Sequence, residues 1–453
     1  MTLRRLAAPL AALLLAVACT GGPEADRPAS VEVPGEIVVA SGRDVTGKNG
    51  IREQLIEAWN KRQAEKRTGY HARLVELPGS ADEQRSQLLG ALQSGSASYD
   101  VVNLDVTWVP EFAAAHLVRA LPESTIAGDV IKSVASTARW GGKVYAVPFN
   151  SDVGLLYYRR DWLERAGVRQ TDLGAAPLSW TNLDTLMGDV GDLGPKGYEK
   201  GWTTQLADYE GRTVNAFEAF ATAVPGLTIT DADGHYDATV DQLAQGVAEL
   251  RRRTEGPYLL PDAVHSDEAG SLGAFADGRT EFLRFWPYGY VTLFRTFTDQ
   301  QLGVAPLPGR AVLGGQNLAV TESSRRARGA ADLISFLTGK ESERCLLDAG
   351  FAATRVSAYT DDTLRCTTGS PATAPTRESA DRMPRDGAGR PKYARPTLLP
   401  ALRAAVQRPR TPLYGAFTQT FIAQLGPLFG DDPPGDEQLA RNLDTALREA
   451  LPH

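Results

Sequence analysis

Glu36-Ile-Val-Val-Ala-Ser41, residues 51–63, His71-Ala-Arg-Leu-Val-Glu-Leu77, residues 81–94 and Tyr99-Asp-Val-Val-Asn-Leu104 make up the stretch whose reading decides the fold. The first segment is short, β-branched and mostly apolar, which predicts a strand, and the third and fifth are the next strand candidates. The second carries Ile51, Leu55, Ile56 and Trp59 at helical spacing, and the fourth sets Leu88, Leu89 and Leu92 on one side of a helix. Strand, helix, strand, helix, strand predicts an α/β chain built on a parallel, doubly wound sheet.

The rhythm recurs more loosely downstream. Lys143-Val-Tyr-Ala-Val-Pro148 and Val153-Gly-Leu-Leu-Tyr-Tyr158 read as strands, and residues 161–166 as a short helix ended by Gly167. Longer helices are expected over 214–224, 240–252, 326–337 and 438–451. Residues 367–400 are rich in Pro, Gly and charge, and predict an irregular excursion over the surface.

Upstream, an apolar run follows Arg4 and Arg5 and closes on Leu15-Ala16-Val17-Ala18-Cys19. It has the basic start, short apolar stretch and small residues of a secretory leader, and is short for a bilayer span. With Cys19 next, the segment resembles a bacterial lipoprotein lipobox. That resemblance implies a signal peptide over 1–18, acylation of Cys19 and a membrane-anchored protein on the extracytoplasmic face. The polar, turn-rich segment that follows reads as a flexible linker over 19–35.

Beyond Cys19 the chain holds only Cys345 and Cys366, and an oxidising compartment favours pairing them; two separate buried thiols are the alternative. The net charge is −7, and losing Arg4 and Arg5 with the leader takes it to −9, which excludes the basic face that nucleic acid demands. The five histidines are scattered without zinc-ligand spacing, so neither metal nor cofactor is expected. Gly42-Arg-Asp-Val-Thr-Gly47-Lys48-Asn49 has the glycine and lysine spacing of a phosphate-binding loop. It ends in Asn49 where Ser or Thr would hold magnesium, so it predicts a turn with Asn49 capping the helix.

What remains is a set of polar and aromatic residues at predicted strand ends: Asp105 after the third strand, Asn150-Ser-Asp152, Tyr209-Glu210-Gly211, and Phe285-Trp286-Pro-Tyr288-Gly-Tyr290. Rings stack on the apolar face of a pyranose while carboxylates and amides take its hydroxyls, so this mixture suits a sugar. Taken singly, each ring reads more readily as core than as a platform.

Tyr99-Asp-Val-Val-Asn-Leu-Asp-Val-Thr-Trp108-Val-Pro-Glu-Phe112, Gly142-Lys-Val-Tyr-Ala-Val-Pro148, Gly154-Leu-Leu-Tyr-Tyr158, Gly303-Val-Ala-Pro-Leu-Pro308, Leu313-Gly-Gly315 and Thr354-Arg355 run through most of the chain. In them it resembles the extracytoplasmic solute-binding lipoproteins of ABC importers, in the maltose and trehalose binding branch. The resemblance implies a periplasmic-binding-protein-like (type II) fold of two lobes, each a mainly parallel sheet flanked by helices, joined by a hinge that the chain crosses repeatedly. Lobe 1 would take 36–148 with 307–345, and lobe 2 would take 149–306 with 346–453. It also implies a monomer that captures a sugar without chemistry and delivers it to a membrane permease. Ligand contacts are expected from Arg85, Asp105, Asn150, Asp152, Glu210, Trp286, Tyr288, Gly315, Gln316 and Arg395. Gln316 departs from the pattern, in which an aromatic follows Gly-Gly, and this counts against a maltose-like or trehalose-like ligand. Two rival readings stand beside it: a binder of a non-sugar polar solute, and a secreted glycoside hydrolase pairing Asp105 with Asp152 or Glu210.

Overall fold

Where the apolar runs are short and β-branched the chain forms strands, and a computed structural model describes them within residues 32–43, 50–95, 98–126, 128–168, 178–368 and 382–453. Apart from a two-stranded ribbon of Arg139–Trp140 and Lys143–Val144, the strands of the described residues are β1 (Glu36–Gly42), β2 (His71–Leu77), β3 (Val101–Asp105), β4 (Val147–Val153), β5 (Leu155–Arg159), β6 (Lys200–Thr203), β7 (Thr280–Phe285), β8 (Leu302–Pro306) and β9 (Leu313–Val320). The helices that matter for the site are α1 (Ile51–Lys66), α2 (Ala81–Ser94), α3 (Val109–Ala114), α4 (Glu210–Ala223), α5 (Val240–Thr254), α6 (Glu268–Ala276), α7 (Ala327–Leu337), α8 (Lys340–Asp348), α9 (Tyr414–Leu425) and α10 (Asp436–Ala450).

Two sheets organise these elements, in the orders β2-β1-β3-β9-β4 and β8-β5-β7-β6. The opening rhythm gives β1 pairing parallel with both β2 and β3. The sheets are nevertheless mixed rather than mainly parallel: β9 runs antiparallel to β3 and to β4, and β5 runs antiparallel to β8 and to β7. The reason is connectivity. β4 and β5 are separated by Gly154 alone, so the chain passes straight from one sheet to the other, and β9 re-enters the first sheet from β8 of the second, reversed. The first sheet therefore extends to Val153, past the expected lobe boundary at 148.

Gly154 is required at that crossing. A Cβ there would lie 2.3 Å from Glu218 Oε1 and 2.9 Å from Arg284 Nη2, which form a buried ion pair beneath the crossover. Gly315 in β9 has φ +105° and a Cβ would lie 2.4 Å from the Asn150 carbonyl oxygen, so the close approach of β9 to β4 admits only glycine.

α1 covers the first sheet with Ile51, Leu55, Ile56 and Trp59 buried as its spacing predicts, and the Trp59 indole N–H donates to Asp332 at 2.9 Å. Fully burying side chains of this kind contributes about 1.5–3 kcal/mol each. Its N-cap is Gly50 and not the expected Asn49, which lies with the rest of 44–49 outside the described residues. α4, α5, α9 and α10 pack together, Phe220 edge-on to Phe421 at 5.3 Å. Cys345 in α8 and Cys366 are disulfide-bonded, with Cα atoms 4.5 Å apart; closing a loop of this length stabilises by roughly 3 kcal/mol. Of the expected irregular segment over 367–400, residues 369–381 lie outside the description, and 394–398 form a π-helical turn. Cys19 and the leader also lie outside it. Among the described residues no helix is long and apolar enough to cross a membrane.

Candidate functional site

A cavity of about 680 Å³ opens between the two sheets. Its floor comes from three neighbouring strands. In register, Gln316 of β9 faces Asp105 at the end of β3 on one side and Asn150 of β4 on the other. Asp152, two residues along β4 and so on the same face, pairs with Gly314. Because Gly314 has no side chain, Trp286 packs over it: a Cβ there would meet the Asp152 Cβ at 3.2 Å and the Trp286 ring at 3.3 Å.

The aromatic wall is fixed from behind. The Tyr157 hydroxyl donates to the Trp286 carbonyl at 2.9 Å, and the Tyr393 hydroxyl donates to the Pro287 carbonyl at 3.2 Å. Tyr288 stands edge-on to Phe285 at 5.1 Å. Glu268, first residue of α6, accepts from the Trp286 indole N–H at 3.3 Å and from the Tyr209 hydroxyl at 2.8 Å. Under Trp286 lies the Arg284 guanidinium, 4.0 Å from the ring centroid.

Opposite this wall sits a buried charge cluster. Arg408, whose side chain is 2% exposed, donates to Asp105 at 3.0 and 3.3 Å and to Glu210 Oε1. Glu210 further accepts from the Tyr414 hydroxyl and, at 2.7 Å, from the Thr418 hydroxyl; Asp105 accepts from the Thr107 amide at 2.9 Å and its hydroxyl at 2.7 Å. Burial pushes the Glu210 carboxyl up while Arg408 draws it back. Burial acts to lower the Arg408 guanidinium, yet Asp105, Tyr414 and Glu210 together hold it well above its ordinary value. The cluster also ties the two sheets' elements together, since Asp105 ends β3 and Glu210 begins α4. Asp82 in the first turn of α2 reinforces that tie by accepting from the Glu210 amide at 3.2 Å.

Arg52 of α1 anchors the floor. It donates to Ser41 Oγ and the Gly42 carbonyl at 3.0 Å each, and to Gln316 Oε1 at 2.7 Å. Asn103 Nδ2 donates to the same Gln316 oxygen at 2.6 Å. With its carbonyl held twice, Gln316 presents Nε2 to the cavity. Burial pushes the Asp152 carboxyl up to about 7; Arg284 and Arg52 oppose that rise, and Asp105 and Glu268 add to it.

Asp105, Asn150, Asp152, Glu210, Trp286, Tyr288, Gly315 and Gln316 thus line one cavity. Arg85 and Arg395 do not. Arg85 is drawn to Glu111 of α3, its Nε donating at 2.7 Å, and lies against Gly415 of α9. Arg395 is exposed on the turn Ala394–Leu398, whose Ala394 and Leu398 face the core. Sequence reasoning missed Arg52, Arg408 and Glu268. Arg52 lay within reach as the basic residue in the first turn of α1, close after Gly42; nothing local marks Arg408. Among the described residues one group with metal-ligand spacing occurs, Asp231, Asp233 and His235, and it lies away from this cavity.

Comparison with known proteins bears on this cavity. A family model described as bacterial extracellular solute-binding protein matches residues 48–344. A probable ABC transporter-binding protein of Deinococcus radiodurans is 28% identical over 320 residues, 67% of this chain and 73% of the relative. Among solved structures, the maltose-bound MalE3 of T. maritima superposes with TM-score 0.73 at 24% identity, covering 92% of this chain and all of the other. UgpB of Mycobacterium tuberculosis, in complex with glycerophosphocholine, gives 0.70 at 18% identity, with 91% and 98% covered.

Proposed function

The chain belongs to the bacterial extracellular solute-binding proteins, and from that membership we propose that it captures a sugar, mono- or small oligosaccharide, for an ABC importer. Its fold is the two-lobed, type II periplasmic-binding-protein fold. The cavity between the lobes takes the sugar, the closed form delivers it to the membrane permease, and acylated Cys19 holds the protein at the extracytoplasmic face.

The observation that carries this reading is the pairing of Trp286 and Tyr288 with Asp152 and Gln316 around one cavity. Rings offer a flat apolar platform, Asp152 accepts from hydroxyls, and Gln316 Nε2 donates to them. The bonding of Asp105 and Glu210 speaks against their acting as a hydrolytic pair. Glu210 is engaged by Arg408, Tyr414 and Thr418, and Asp105 by Arg408 and Thr107. A carboxylate held by an arginine is a poor general acid. A phosphate-bearing solute such as UgpB holds would meet six carboxylates, three arginines and one histidine in the cavity wall, an acidic excess that disfavours it.

A thermal-shift screen over mono-, di- and trisaccharides and polyols tests the proposal. A selective rise in melting temperature is expected, since a ligand at 100 times its Kd stabilises by about 2.7 kcal/mol. A response only to non-sugar solutes would overturn it.

A further inference from the structure

We infer that the solute carries a protonated amine, as an amino sugar or aminocyclitol does, with its ammonium seated between the Asp152 carboxylate and the rings of Trp286 and Tyr288. This rests on the reading of the cavity as a sugar site and narrows it.

Three observations lead there. The first is the balance of charge: six carboxylates line the cavity against three arginines. The Arg408 cation is shared by two of those carboxylates, Asp105 and Glu210. Arg52 donates from its Nη atoms to Ser41, Gly42, Gln316 and Asn150.

The second is the bonding of Asp152. Asp105, Glu210 and Glu268 each accept at least two hydrogen bonds from the chain. Asp152 is given none by any described residue, although it stands on the cavity floor. A carboxylate in a partly desolvated site without a donor is costly unless the bound molecule supplies one. A hydroxyl supplies one proton and no charge; an ammonium supplies three and cancels the charge.

The third is what surrounds that carboxylate. Asp152 and Trp286 flank the bare Gly314, and Glu268 stands behind Trp286. Aromatic faces and carboxylates together attract a cation. The one cation already at the ring, Arg284, is neutralised by Glu218 at 2.6 Å and lies outside the cavity wall.

Isothermal titration calorimetry at pH 7.5 with D-glucosamine and its β-1,4 dimer, their N-acetylated counterparts, and glucose and maltose tests the inference. The amines are expected to bind at least tenfold more tightly than the acetylated and hydroxyl forms, and Asp152→Asn should level the series. Equal or tighter binding of the uncharged sugars by the unaltered protein overturns the amine while leaving a sugar binder intact. An amine preference that survives Asp152→Asn overturns the placement beside Asp152. Failure of every sugar in the set to bind overturns both this inference and the reading on which it rests.

Discussion

Arg284→Met should destabilise the protein far more than an ordinary buried substitution. Arg284 and Glu218 have side chains 1% and 2% exposed and meet through two contacts, Nε to Oε2 at 2.9 Å and Nη2 to Oε1 at 2.6 Å. Removing the cation leaves the Glu218 carboxylate buried with the Val312 amide, at 3.1 Å, as its remaining donor besides water. Stranding one partner of a buried pair costs about 3–5 kcal/mol. At about 2.1 cal/mol/K per residue, a folded unit of roughly 420 residues has an unfolding entropy near 0.9 kcal/mol/K, so Tm should fall by about 3–6 °C. Scanning calorimetry at pH 7.5 measures it.

The double variant Arg284→Met with Glu218→Met separates causes, because replacing both ions with apolar side chains is often neutral. It should recover most of the loss. If the double variant is as unstable as the single, the loss is one of packing and the stranded-charge argument fails.

Two further outcomes follow, one in the cavity wall and one in the core. Trp286→Ala should weaken binding of the true ligand by about 1–3 kcal/mol if the ring is a stacking platform; unchanged calorimetric affinity would remove it from the site. Glu281 in β7 is fully buried, neither carboxyl oxygen has a partner among the described residues, and burial drives its pKa well above the ordinary range. Its protonated form is stabilised in the folded state, so its contribution is favourable below the unfolded pKa and is lost as pH rises toward the folded one. Glu281→Met should therefore raise stability at pH 7.5 by on the order of 1–3 kcal/mol, with the gain shrinking toward pH 4 in urea titrations; an equal or larger gain at pH 4 would refute it.

The first sheet was legible because each of β1, β2 and β3 is a β-branched run alternating with a helix whose apolar face has the right period. The second was not. β7 reads Thr280-Glu-Phe-Leu-Arg-Phe285, and all six residues are buried, Glu281 and Arg284 among them. Two charges in six residues conceal a central strand from any hydropathy argument; the compensating Glu218 is 66 positions away. β9 opens Leu313-Gly-Gly-Gln, whose glycines mimic a turn but serve a close strand approach. The site follows the same rule. Asp105 was readable from its place at the end of β3, and Asn150 and Asp152 from an expected strand end at Phe149 that the structure instead carries on to Val153, whereas Arg408 joins Asp105 and Glu210 across 303 and 198 positions and carries no local mark. Arg85 and Arg395 were assigned by resemblance; Arg85 pairs with Glu111 and Arg395 is exposed on its turn.

Glu268 holds two different rings with its two oxygens, Trp286 by one and Tyr209 by the other. The two rings are consequently a single unit under selection: changing either releases an oxygen and loosens its twin, so their substitutions should combine non-additively. Retuning this protein toward a new cargo would then start at position 268, where one exchange reshapes a whole wall of the chamber while the guest-facing rings keep their identities.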